Sequence, residues 1–271
     1  VSLRFWTTLQ NLKQAAYVED GKITKTIPGH APQTIYRRVA VVTEYKEKLA
    51  LARHASFEIW NKEGTRCDAS FYHKLILAPH HITEYEGDLL ICSSGLEMFF
   101  LMDEKGKVKW EWWGYKNGIG GKNKAFFRDD WTTQQTTSDI AEIDEKDLAH
   151  FNSIFLTGNG SFLTSALKKR KIIEITVGKD GYKHVADVED IGCHSPFFHK
   201  GELIYGTEQG INAGGRKVLQ FPWVKYVRPF EGGFAFMHYR GFVTTDSKWQ
   251  IKERFLLPSP YQFIYMERMA K

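Results

Sequence analysis

Short apolar or alternating runs, broken by tight polar turns, recur from one end of this chain to the other. The clearest series begins at Leu75: ILAPHHITEY, a turn at Glu86-Gly87, DLLICSS, LEMFFLMDEKG and KVKWEWWGY. Asp103 to Gly106 reads as a hairpin turn between two strongly β-forming runs. From His150 to Asp190 the same rhythm returns. A short strand opened by a histidine leads through a Gly-rich turn to SFLTSA and KIIEITV, then a turn at Lys179-Asp180-Gly181 and YKHVADV. Four short strands in about forty residues make one propeller blade. Comparable units run RRVAVVTEY, KLALARHAS, FEIWNKEG, RCDASFY; then GCHSPFFHKGELIYGTEQG with KVLQFPWV; then RPFEGGFAFMH, GFVTTDS, QIKERFLL. At the amino end SLRFWTTLQN and QAAYVEDGKITKTIPG supply two or three strands, and YQFIYMERMA at the other end is a lone strand. Pairing the two termini in one blade leaves no open edge. The expectation is an all-β, six-bladed β-propeller with units of about 45 residues, closed by its N- and C-terminal strands, or five blades if the terminal strands are misread.

Residues 116–148 break the rhythm, being Gly-, polar- and charge-rich with Phe126, Phe127 and Trp131 among them. A stretch of this length is too long for a blade connection, and its aromatics argue against disorder. It is expected to be an ordered loop over one face of the ring. No linker divides the rest, so residues 1–271 are expected to form a single domain. Aromatic residues at 14 % suit strands better than helices. The net charge of +5 is spread among 32 acidic residues, which argues against a nucleic-acid partner. No apolar run reaches the roughly 18 residues of a membrane span. Cys67, Cys92 and Cys193 are odd in number and lie in different repeats, which argues against a disulfide framework and for a reducing, cytoplasmic location.

In a propeller the first residues of each innermost strand gather near the axis at one end, so residues distant in sequence meet there. Aligned on the turn glycines, His80 lies seven residues before Gly87 and His194 seven before Gly201, and His150 precedes Gly160 by ten. Three imidazoles converging on the axis would suit a divalent transition metal (Fe, Mn, Zn or Cu), with a position open for water or substrate. His30 and His81 are further candidate ligands. Arg37 and Arg228 fall at comparable places in the flanking units and favour a small anionic ligand. Asn152, two residues after His150, would orient a ligand or metal-bound water, or equally cap a strand end. Against this stands the plainer reading of polar channel residues hydrogen-bonded to water.

His150-Phe151-Asn152 followed by SFLTSA, then CHSPFFHKGELIYGTEQG and RPFEGGFAF, resemble successive blade motifs of a bacterial family of six-bladed propellers of unknown function. The family pattern has Gly where this chain has Ser153 and Arg where it has Phe197, and it lacks the 116–148 insertion. The resemblance implies a six-bladed ring with a polar, His-rich channel and no particular reaction. A more distant similarity, of architecture only, is to arylsulfotransferase-like propellers. Three functions are therefore expected in order: a metal-dependent enzyme acting on a small anionic substrate, a metal-free sulfuryl or phosphoryl transferase using channel His and Arg, and a non-enzymatic binding platform.

Overall fold

The computed structural model describes residues 4–9, 14–27, 39–53, 56–121, 149–190, 192–238, 240–257 and 264–266. His30, Arg37, His54 and nearly all of the 116–148 insertion lie outside the described residues. Blade 1 holds β1 (Arg4–Leu9), β2 (Gln14–Glu19) and β3 (Lys22–Ile27). Blade 2 holds β4 (Val39–Tyr45), β5 (Lys48–Arg53), β6 (Ser56–Asn61) and β7 (Cys67–Tyr72). Blade 3 follows with β8 (Pro79–Tyr85), β9 (Asp88–Ser93), β10 (Met98–Met102) and β11 (Val108–Trp113). Blade 4 is β12 (Phe155–Leu156), β13 (Ser161–Ala166), β14 (Lys171–Thr176) and β15 (Lys183–Asp187). Blade 5 is β16 (His194–His199), β17 (Glu202–Thr207), β18 (Gly210–Ala213) and β19 (Arg216–Gln220). Blade 6 is β20 (Val224–Phe230), β21 (Gly233–His238), β22 (Gly241–Asp246) and β23 (Ile251–Leu256). Finally β24 (Ile264–Met266) returns to blade 1, inside β1, pairing Phe5 with Met266 and Thr7 with Ile264. Every blade is a four-stranded antiparallel sheet, and the protein is a six-bladed β-propeller closed by its two ends.

The sequence pattern follows from this packing. Middle strands lie between two neighbouring blades, so β9 and β10 are buried at every position, and LLIC in β9 and MFFLM in β10 read as continuous apolar runs. The outer strand β7 alternates half-buried and exposed residues. Each of the six blade interfaces has its own apolar cluster. Between blades 3 and 4 the ring of Phe99 lies 4.9 Å from Phe162 and 5.1 Å from Phe151. Blade 6 meets blade 1 through Phe5 stacked on Phe242 at 4.7 Å, so the closing interface is built like the others.

The inner strands share one irregularity. In blades 2, 3, 5 and 6 the pairing of the first two strands slips by one residue near the start of the inner strand. In blade 4 the same slip separates the Phe151–Ala166 bridge from the Phe155–Leu163 pair. A bulge adds one unpaired residue and re-aims its side chain. His80 in blade 3 and Lys225 in blade 6 are themselves those extra residues, flanked by paired neighbours.

Candidate functional site

The bulges gather polar side chains from four consecutive blades at one end of the channel. The three histidines are not at one register position, as the turn-glycine alignment has them. His80 occupies a bulge, His194 pairs with Gly206 just outside one, and His150 precedes the bridge residue Phe151. They nevertheless approach one another. His80 and His150 pack ring edge against ring face with centroids 4.7 Å apart.

Hydrogen bonds assign the tautomers. His80 Nδ1 lies 2.8 Å from the Ala78 carbonyl, which can only accept, so Nδ1 carries the proton and the lone pair of the neutral ring is on Nε2. His194 is the reverse case. The Asn152 amide is held on one side by the Ser165 hydroxyl donating to its Oδ1, and on the other it donates from Nδ2 to the Cys193 carbonyl at 3.0 Å. The remaining Nδ2 hydrogen therefore points at His194 Nδ1, 2.9 Å away, which must accept, leaving the proton on His194 Nε2. Burial holds His194 well below the usual imidazole pKa, and the charge of Lys225, then of His150 and His80, adds to that effect. His194 is a neutral hydrogen-bond donor in the physiological range.

Deeper in the channel His81 and Tyr226, from opposite blades, stack with centroids 6.2 Å apart, so the ring is narrow enough for side chains to meet across it. Burial, then the charge of Arg228, lowers His81 to about 3. Strict strand alternation would turn His81 away if His80 faces the channel; the bulge between Pro79 and His81 lets both join it. Arg228 is partly exposed, yet its guanidinium is ringed by Tyr226 at 4.2 Å, Phe155 at 5.0 Å and Phe197 at 5.4 Å. It donates to the carbonyls of Val227 at 2.8 Å and Ser195 at 3.3 Å. Burial pulls its pKa down and Tyr226 opposes that shift.

Several expectations change. Among the described residues no group of three or more His, Cys, Asp or Glu side chains is placed to hold a metal ion. His80 donates Nδ1–H to a backbone carbonyl, as the outer nitrogen of a metal-ligating imidazole does, whereas the Nδ1 lone pair of His194 is taken by Asn152. Asn152, only 1 % exposed, is hydrogen-bonded through its amide to His194 Nδ1. Cys193 is buried, its thiol pushed up by burial against an opposing Ser165 hydrogen bond. All three cysteines are free. Among the described residues no helix is long and apolar enough to cross a membrane.

Three residues escape a reading based on histidines and arginines. Lys225 is one, an 8 %-exposed lysine in the apolar run VKYV; a charge at the bulge position shared with His80 is its signal. Tyr226 is another. Glu97, 2 % exposed, is the third. Its Oε1 accepts the Ala149 N–H and its Oε2 the Gly121 N–H at 2.6 Å, so one carboxylate holds the chain on both sides of residues 122–148. The backbone at His150 is then fixed from both directions, because its own carbonyl accepts from Leu167 N–H at 3.2 Å. A cavity of about 330 Å³, lined by Asp20, Phe230 and Glu231 among others, lies at the opposite end of β20 and is unconnected with the histidines.

No family model and no curated protein matches the sequence. Among solved structures the chain is similar to a Bacteroides caccae protein of unknown function, at 12 % identity and TM-score 0.63 over 97 % of both chains. It is also similar to a catalytically inactive histidine-to-alanine variant of virginiamycin B lyase from Staphylococcus aureus with quinupristin, at 13 % identity and TM-score 0.60 over 95 % of this chain and 85 % of that one. A nidogen/laminin complex matches at 9 % identity and TM-score 0.63 over 94 % of each chain. At these identities the likeness shows the fold, and the fold carries unrelated functions. Of the motif resemblance, the six-bladed architecture is what stands.

Proposed function

We propose that the protein is an acid–base enzyme that binds a small organic anion at the channel mouth and moves a proton on the carbon beside its carbonyl group. The observation that carries this reading is the pairing of opposite tautomers: a base on His80 Nε2 and a hydrogen-bond donor on His194 Nε2–H. In the reaction His80 Nε2 takes the proton and becomes an imidazolium, while the C–H electrons pass to the carbonyl oxygen as an enolate. His194 Nε2–H and the Lys225 ammonium stabilise that oxygen's charge. Return of the proton to the opposite face of that carbon, or to another carbon, completes isomerisation; departure of a neighbouring group with its bonding electron pair, as the enolate electrons form the new C=C bond and His80 keeps the proton, completes elimination. A neutral His194 is the better partner here, since it donates without itself giving up a charge-compensating proton. The likeness in fold to a lyase inactivated by loss of one histidine is in keeping with this role.

The test is solvent exchange. A panel of small 2-oxo acids is incubated in D₂O with the protein, and loss of the hydrogens beside the carbonyl is followed by ¹H NMR against the uncatalysed rate. Acceleration for at least one acid, reduced about 100-fold or more in His80→Gln, is expected. The reading fails if acids that bind show no accelerated exchange, or if His80→Gln exchanges as fast as the parent.

A further inference from the structure

Trp223 breaks two ordinary rules at once. Its side chain is 44 % exposed, and its backbone lies at φ +56°, a left-handed conformation that bulky L residues rarely adopt. Nothing about it is loose. Its N–H donates to the Glu208 carbonyl at 2.9 Å, and Phe221 N–H donates to Gln209 at 3.1 Å, so the 221–223 segment is tied to a turn of blade 5. That turn joins the end of β17 to β18, on the same end of the ring as His194, where β16 begins. Lys225 Nζ lies 5.8 Å from the Trp223 ring centroid, and the same ammonium acts on His194. An unusual backbone conformation held this firmly, presenting a large flat ring with a cation over one face and the other left for a ligand, is what a binding platform requires.

We infer that Trp223 forms the rim of the anion site and that the ligand is an aromatic anion, its ring stacked on the indole and its carboxylate directed to Lys225. This rests on the anion-binding reading given above and adds the ligand's chemical class. A flat apolar ring gains from stacking on an exposed indole what a compact aliphatic acid does not. The geometry also orders the two groups: ring outside on Trp223, charge inside toward Lys225 and His194.

Two probes of equal charge and similar size separate the inferences: phenylacetate and cyclohexylacetate, with dissociation constants from NMR titration of the protein. Phenylacetate is expected to bind about fivefold tighter or more. Trp223→Ala should bring the two acids to equal affinity, Trp223→Phe should retain the preference, and Lys225→Ala should weaken both. The retained cyclohexylacetate affinity of Trp223→Ala reports that the variant is folded. Equal binding of both acids to the parent protein, or a preference that survives in Trp223→Ala, overturns the aromatic assignment and leaves the anion site standing. Failure of both acids to bind, or binding unchanged in Lys225→Ala, overturns the two together.

Discussion

At the scale of single residues, the direction of one amide decides what His194 can do. Asn152 is locked by Ser165 and the Cys193 carbonyl, so it can only donate to His194 Nδ1. Asn152→Asp replaces that donor with an acceptor of nearly the same shape. His194 must then carry a proton on Nδ1, and the new carboxylate favours the imidazolium. The expected outcome is a His194 pKa raised toward or above the ordinary range and a switch of its neutral tautomer, both read from ¹⁵N shifts of the ring. Exchange activity should fall by about 100-fold or more, as in other sites where the wrong tautomer is imposed. An unchanged tautomer in the folded variant would count against the assignment.

At the scale of elements, the bulges and Glu97 do complementary jobs. A bulge turns one side chain out of the strand's two-residue alternation, which is how His80 and Lys225 leave the sheet pattern and reach the channel. Glu97 sits at the end of a single 3₁₀ turn, Ser94–Leu96, and bonds the backbone on either side of the insertion, next to His150. Glutamine has only one oxygen to offer two N–H groups, so Glu97→Gln leaves one buried donor facing an amide NH₂. A loss of about 1–3 kcal/mol of stability in denaturant unfolding is expected. Loss of the nuclear Overhauser contact between the His80 and His150 rings should accompany it. A folded variant that keeps that contact would show that Glu97 supports the chain without positioning His150.

At the scale of the whole molecule, ring closure makes local chemistry a global property. Each blade shares an apolar cluster with both neighbours, and His81 meets Tyr226 across the channel. No blade can leave without breaking two interfaces, so a proton that His81 refuses in the folded ring is paid for by the stability of the whole. The folded His81 titrates at about 3, below the unfolded value of 6.5. Between these limits the unfolded chain binds the proton and the folded one does not. His81 therefore stabilises the fold fully above about pH 6.5, and that contribution drains away as pH falls, by about 1.4 kcal/mol per pH unit, down to the folded value. Denaturant unfolding from pH 6.5 to pH 4.5 should show a slope shallower by about that amount in His81→Gln. Equal slopes would mean that His81 is protonated in the native channel.

What the amino-acid order determined by itself was the repeating unit, with its number narrowed to five or six: strand runs and turn residues are local features, and the apolar runs within β9 and β10 already encode burial on both faces. The pairing of the two ends was also legible, because the lone C-terminal strand had no other partner. That His80 and His150 come together could be read in outline, since repeat position maps onto ring position. Their roles could not. Whether His80 or His81 enters the channel depends on a bulge, and a one-residue slip leaves no mark in the period of the strand. Tautomers depend on partners 2 to 42 residues away, such as Ala78 for His80 and Asn152 for His194. Lys225 and Glu97 looked like isolated charges in apolar runs until the ring set one beside His194 and the other across the base of the insertion. Strand pattern is a property of neighbours along the chain, whereas hydrogen-bond direction and proton affinity belong to neighbours in space, and only the closed ring brings those together.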